Sequence, residues 1–216
     1  MADVGEGHQS TVRPEVSARI QKKRLMGDHR LITKKEPLDF IDVIYDPEWT
    51  HPKSEGKKGL LWRFVYRGND DSKYRNGFYI CEVLLHPEYP NRAGDIRVLT
   101  PNGRFETNQF ICMDNTAFHQ HDPKAGMKHG WNVRTIILGF ISIWLDDNEK
   151  GIGHIHESVR RCKDYADNSV EYNSNVHPDI FAKFTKFYDE YKNRMTEPCR
   201  EACKIEFDKI HGEASA

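Results

Sequence analysis

The sequence predicts an α+β fold: a four-stranded antiparallel meander with an N-terminal helix, a central core helix and C-terminal helices. Three observations carry this. Four short runs rich in β-branched and aromatic residues fall between positions 38 and 99, at hairpin spacing. A helical stretch precedes them. After them comes Trp131–Leu145, apolar almost all round, as a helix at the centre of a core must be.

Residues 1–13 are small, polar and unpatterned, and are expected to form a flexible N-terminus. Pro14 suits the first turn of a helix. That helix is predicted from Glu15 to about Lys34, with Val16, Ile20, Leu25 and Ile32 facing inward, and it ends before Pro37. Strands are predicted at Leu38–Tyr45, Leu60–Tyr66, Phe78–Leu85 and Ile96–Leu99. Helices are expected on one side of the sheet and at its ends. Residues 113–130 read as a polar loop holding His119, His121 and His129. Asn132 is the predicted cap of the central helix. Asp146 to Gly153 is a loop, and Ile155–Val170 and Asp179–Arg194 read as two further helices, with Pro178 suiting the start of the second. The division expected is 1–13 as flexible terminus, 14–195 as the folded domain and 196–216 as a charged tail, helical around Pro198–Ile210.

The chain has 216 residues, enough to bury a core without disulfides. Charged residues make up 30% and apolar residues 38%. No apolar run reaches spanning length; the longest, Thr135–Leu145, is broken by Gly139 and Ser142. The first residues lack the apolar region of a signal peptide. The expectation is a soluble chain in cytoplasm or nucleus, with no membrane partner. A net charge of −1 speaks against nucleic acid. Cysteines 81, 112, 162, 199 and 203 are odd in number and irregularly spaced, which fits reduced thiols.

The run that carries chemistry is Leu99–Met113. It turns at Pro101-Asn102-Gly103 and delivers Cys112 ten residues after Asn102. A thiol and a side-chain amide joined by a tight turn suit a nucleophile with a nearby polar donor. Asn102 hydrogen-bonds an oxyanion, pins its own turn, or does both. Arg104 either positions a partner or lies on the surface.

The ordered motifs resemble one family. Trp62 to Gly68 is similar to its W-x-x-x-x-x-G strand, Tyr74-Arg-Asn-Gly-Phe78 to Y-x-G-G-x-F/Y, and His86-Pro-Glu-Tyr-Pro90 to F-P-x-x-Y-P. Thr100-Pro-Asn-Gly-Arg-Phe105 matches the Thr-Pro-Asn variant of His-Pro-Asn. The family is that of the ubiquitin-conjugating enzymes, and the variant is typical of its endoplasmic-reticulum branch. The resemblance covers roughly residues 14–195 and places Cys112 on the thioester cysteine. It implies a transferase that accepts ubiquitin as a Cys112 thioester and passes it to lysine on protein substrates. No cofactor is bound: ubiquitin is the co-substrate, and ATP is consumed by the activating enzyme. The implied partners are ubiquitin, the ubiquitin-activating enzyme, a ubiquitin ligase of open type and substrate proteins.

The resemblance also places roles outside the turn. His119, in Ala117-Phe118-His119, is similar to a Phe-His of that branch and is a candidate for orienting lysine, or is a solvated loop residue. Arg19, Lys22, Lys23 and Arg24 lie on the helix that in the family meets the activating enzyme, and form either that contact or an ordinary basic face. The chain departs from the family at Asn76 for a second Gly, Asn91 for Phe and Ala93-Gly94 for Pro-Pro, and Cys112 to Trp131 is longer than usual. The branch's membrane anchor has no counterpart here, so membrane attachment is not carried over. Three alternatives stay open: an inactive ubiquitin-binding adaptor, a conjugating enzyme for another ubiquitin-like modifier, and a zinc protein using Cys112 with His119, His121 or His129.

Overall fold

The computed structural model describes residues 14–50, 57–92, 94–113, 116 and 130–212. The N-terminal stretch 1–13 and His119, His121 and His129 lie outside the described residues. Helix α1 (Pro14–Arg30) runs into a π-turn at Leu31–Lys35. Four strands follow: β1 (Ile41–Tyr45), β2 (Leu61–Arg67), β3 (Phe78–Leu84) and β4 (Asp95–Val98). They form one sheet in the order β1-β2-β3-β4, with every pair antiparallel, which is the expected meander. Helices α2 (Val133–Leu145), α3 (Val159–Val176), α4 (Pro178–Phe181), α5 (Tyr188–Tyr191) and α6 (Glu197–Gly212) complete the α+β fold.

Side chains alternate faces along a strand. Trp62, Phe64 and Tyr66 of β2 share a face with Tyr79, Cys81 and Val83 of β3, and this face packs on α1 and α2 through Leu25, Ile32, Val133, Ile137, Phe140 and Trp144. Asn132 caps α2 as predicted: its Oδ1 accepts from Thr135 N at 2.9 Å, and Thr135 Oγ1 accepts from Asn132 N at 2.9 Å.

Four expectations are corrected. Helices do not lie on one side of the sheet alone. Val65, Phe78 and Ile80, on the opposite face, are buried with Val170, Phe181, Phe184, Tyr191 and Met195. That is why β3 is buried at six successive positions instead of every second one. The second C-terminal helix, expected as one piece over 179–194, is broken into α4, α5 and a 3₁₀ turn at Lys192–Arg194. At the break, Lys186 N donates to Asp42 Oδ2 at 2.9 Å and Lys186 Nζ to the carbonyls of Leu38 and Ile41, so tertiary bonds replace the helical ladder. On α1, Ile20 is 57% exposed, because the inward face runs through Gln21, Leu25 and Asp28 and continues at Ile32 in the π-turn. Gln21 earns its buried place by donating to the carbonyls of Pro87 and Tyr89 at 2.8 and 2.9 Å. Finally, Ile155 to Glu157 do not begin α3; they precede it outside any helix or strand, and Ser158 caps the helix by accepting from Arg161 N at 3.2 Å.

Residues 196–216 hold the helix expected around Pro198–Ile210. Cys199 and Cys203 on α6 are buried in the same apolar group as Phe181 and Tyr191. At Asn76, where the family pattern has Gly, φ is +66°, a left-handed conformation that Asn tolerates better than most residues.

Candidate active site

The turn at 100–105 is built by short side chains that bond inward. Thr100 is fully buried; its Oγ1 accepts from Ile80 N at 2.9 Å and donates to Asn173 Oδ1 at 2.6 Å, tying the turn to β3 and α3. Asn102, 1% exposed, spends all its hydrogen-bonding capacity within the turn. Its Oδ1 accepts from Arg104 N and Phe105 N, both at 2.8 Å, and its Nδ2 donates to the carbonyls of Thr100 and Phe105 at 3.0 and 3.2 Å. Of the two roles foreseen for Asn102, this geometry matches turn-pinning. Donation to an oxyanion requires the amide to release one of those carbonyls. Gly103 has φ +80°, and a Cβ there would stand 2.8 Å from Cys162 Sγ, so glycine serves both the bend and the close packing of α3.

Beyond the turn the chain returns along β4. Asn108 N donates to Val98 O at 2.8 Å and Ile111 N to Ile96 O at 2.9 Å. Cys112 follows, its N donating to Ile152 O at 3.0 Å and its O facing His154 Nε2 at 3.2 Å. Gly151 also crowds this point: a Cβ on it would lie 3.5 Å from Cys112 Cβ. The segment 151–157 bonds the other limb as well. Gly153 O accepts from Glu106 N at 2.9 Å, while Ile155 N and Glu157 N donate to the carbonyls of Arg104 and Gly103 at 2.9 and 3.0 Å. This segment ties the turn to the cysteine.

Among the five cysteines, Cys112 is half-buried and the other four are buried. Burial pushes the Cys81 thiol well up, raises Cys162 and Cys199, and takes Cys203 up to about 12. These four are held as neutral thiols at physiological pH.

Arg104, read from sequence as a partner-positioning or surface residue, is 0% exposed. Its Nη2 donates to the carbonyls of Ile143, Asp146 and Glu149 at 3.1, 2.8 and 3.0 Å, closing the C-terminus of α2 and holding the loop after it. Its Nη1 lies 3.1 Å from His154 Nδ1. Sequence reasoning missed both His154 and the bonding of 151–157. The only cue was the glycine pair Gly151 and Gly153, which reads equally well as an ordinary loop.

The remaining predicted residues are dispersed. Arg19, Lys22 and Lys23 are exposed on α1. Arg24 is turned into the fold: its Nε bonds Asp28 Oδ1 at 2.9 Å, its Nη2 bonds Trp131 O, and its guanidinium sits 5.8 Å from the Tyr89 ring centre. Asp28 also accepts from Tyr89 OH and from Val133 N, so the half-buried Arg24 belongs to this junction and not to the basic face. Among the described residues no group of three or more His, Cys, Asp or Glu could hold a metal. Among them, too, no helix is long and apolar enough to cross a membrane.

No protein-family model matches the chain. Curated proteins do. Ubiquitin-conjugating enzyme E2 6 of Schizosaccharomyces pombe is 30% identical over 190 residues, covering 88% of this chain and 77% of that protein. Human ubiquitin-conjugating enzyme E2 J2 is 32% identical over 176 residues, 80% of this chain and 61% of that one. Probable ubiquitin-conjugating enzyme E2 33 of Arabidopsis thaliana is 28% identical over 175 residues, 81% and 64% respectively. The solved structure of human ubiquitin-conjugating enzyme E2 G1 aligns at a TM-score of 0.43 and 18% identity, over 62% of this chain and 98% of that one. The curated relatives are of one class, transferases that conjugate ubiquitin. The chain belongs to the ubiquitin-conjugating enzyme (E2) family. Membership implies ubiquitin, an activating enzyme and a ligase as its partners, with ubiquitin as co-substrate.

Proposed function

We propose that Cys112 is the residue that carries ubiquitin. The observation that supports this most is its accessibility: it is the one cysteine of five that is not buried. The Cys112 thiolate attacks the thioester carbonyl presented by the activating enzyme, and that enzyme's thiolate leaves. A neutral lysine amine then attacks the new thioester; the C–S bond breaks, an isopeptide bond forms, the thiolate of Cys112 departs and the amine loses a proton to solvent or a nearby base. Asn102 serves by holding the turn from which the cysteine limb returns. His119 orients the incoming lysine, and Arg19, Lys22 and Lys23 steer the acidic docking domain of the activating enzyme. The Thr-Pro-Asn run supports grouping the chain with the branch that carries it.

The test is charging with activating enzyme, ubiquitin and ATP. Wild type forms a thiol-reducible adduct, Cys112→Ser forms an oxyester and Cys112→Lys a stable isopeptide, while Cys81→Ala still charges. A wild-type protein that binds ubiquitin but forms no adduct is the adaptor. Charging by a different ubiquitin-like protein in preference to ubiquitin reassigns the modifier. Zinc held in equimolar amount and lost in Cys112→Ser assigns the thiol to a metal instead. A finer proposal, a virus-encoded enzyme acting on host or viral proteins in host cytoplasm or nucleus, rests on a sequence resemblance to the conjugating enzyme of African swine fever virus. The relatives named above are fungal, mammalian and plant proteins and lend it no support.

A further inference from the structure

We infer that His154 is a positioning residue for the Cys112 nucleophile, its ring bridging the Arg104 guanidinium to the Cys112 carbonyl. The inference rests on the reading of Cys112 as the ubiquitin carrier.

The bonding assigns the tautomer. Arg104 Nη1 can only donate, and it lies 3.1 Å from His154 Nδ1, so Nδ1 accepts. The proton of the neutral ring therefore sits on Nε2, 3.2 Å from Cys112 O, and donates to it. The ring is held edge-on against Phe105, with centroids 5.2 Å apart and planes at 84°. Phe105 in turn stacks on Phe140 of α2 at 5.1 Å. Arg104 is itself fixed by three carbonyls at the end of α2. A run of rigid groups thus leads from the core helix, through Arg104 and His154, to the main chain of Cys112.

Both main-chain polar atoms of Cys112 are held by this one segment: the N–H by Ile152 O and the carbonyl by His154. A cysteine that must meet a thioester on one protein and an amine on another gains from a backbone that cannot swing. Misplacing reacting atoms by about an ångström costs on the order of 100-fold in rate.

The protonation state of the ring matters to the bridge. A proton added at Nδ1 places an N–H against the Arg104 guanidinium, breaks that bond and leaves Nδ1–H to the Glu149 carbonyl, 3.3 Å away. Burial lowers the His154 pKa and Arg104 lowers it further, against the opposing pull of the Cys112 and Glu149 carbonyls and the Glu149 carboxylate. The groups that face the ring are Arg104 from the turn, Glu149 from its own loop and the Cys112 residue it bonds.

The experiment compares wild type, His154→Phe and His154→Gln in single-turnover charging, and in discharge of the preformed thioester to free lysine, between pH 5.5 and 8. Phe keeps the ring on Phe105 and loses both bonds; Gln keeps a donor and an acceptor and does not titrate. The expected result is that Phe slows both steps about fivefold, the worth of one hydrogen bond, and Gln recovers at least half of the loss. As pH falls through the lowered His154 value, beneath the ordinary histidine range, the wild-type rate drops more steeply than the Gln rate. Wild-type rates in a folded Phe variant overturn the inference, as does parallel pH dependence of wild type and Gln. If Phe fails to fold, as melting will reveal, the comparison of wild type with Gln decides alone. A wild-type protein that never charges sinks the Cys112 reading itself and is read separately from either outcome.

Discussion

Replacing Asn102 by alanine separates a structural asparagine from a catalytic one. Four hydrogen bonds between 2.8 and 3.2 Å disappear. They leave the N–H groups of Arg104 and Phe105 and the carbonyls of Thr100 and Phe105 without this partner, in residues at most 1% exposed. Each unpaired buried group costs about 1–3 kcal/mol, and partial relaxation brings the sum to about 3–4 kcal/mol, near the upper end for one substitution. At about 2–4 °C per kcal/mol for a chain of this size, melting falls by roughly 10 °C. Thermal unfolding followed by circular dichroism measures this, and charging and discharge assays run alongside at a temperature where the variant is folded. If Asn102 holds the turn, charging and discharge weaken together, because the limb bearing Cys112 is displaced. If instead the variant melts with wild type, charges normally and discharges about 100-fold slower, the amide acts on the oxyanion and the turn-pinning argument is refuted.

Three further outcomes are expected. Arg104→Met keeps the volume but strips the carbonyls of Ile143, Asp146 and Glu149 of their donor; unfolding in urea should report a loss of about 2–4 kcal/mol, and wild-type stability would show the guanidinium to be dispensable. His29, His154 and His177 have pKa values lowered first of all by burial. The unfolded chain therefore takes up protons first, so full stability is present above about pH 6.5 and is lost as pH falls through the folded values. Denaturant midpoints at pH 7.5 and 5.5 check the sign, and a higher midpoint at pH 5.5 would contradict it. Reversing charge on α1 with Arg19→Glu and Lys23→Glu should slow charging severalfold at low salt and much less at 0.5 M salt, as screening removes steering, whereas Arg24→Glu should instead lower the melting temperature by breaking the Asp28 junction. A salt-independent effect at Arg19 and Lys23 would remove the steering role.

The meander was legible because its signals are local. Alternating β-branched and aromatic residues mark each strand, Asn132 marks a helix start, and the all-round apolar run at 133–145 has no place except the centre. What escaped reading is made by partners distant in sequence. The break between α4 and α5 follows an apolar spacing at Phe181, Phe184, Phe187 and Tyr191 that suits a helix. It is Asp42, on β1, that captures Lys186 there, and nothing near residue 186 announces it. Arg104 looks like any charged residue after a turn, since its burial depends on three carbonyls some forty residues onward. Cys112 and Asn102 stood out as residue types in a motif. His154, which touches the cysteine backbone, belongs to no motif and became visible only with coordinates.

Cys112 N, Glu106 N, Ile155 N and Glu157 N are all joined to carbonyls across the piece 151–157 or its neighbours, main chain to main chain. Such a seam ignores most side-chain identity, so exchanges at exposed Ile152 or His156 should leave the thiol where it is. It does depend on phase. Adding or removing a single residue between Gly151 and Glu157 would put the donors and acceptors on the two sides of the change out of phase with each other, shifting Cys112 without altering any residue beside it.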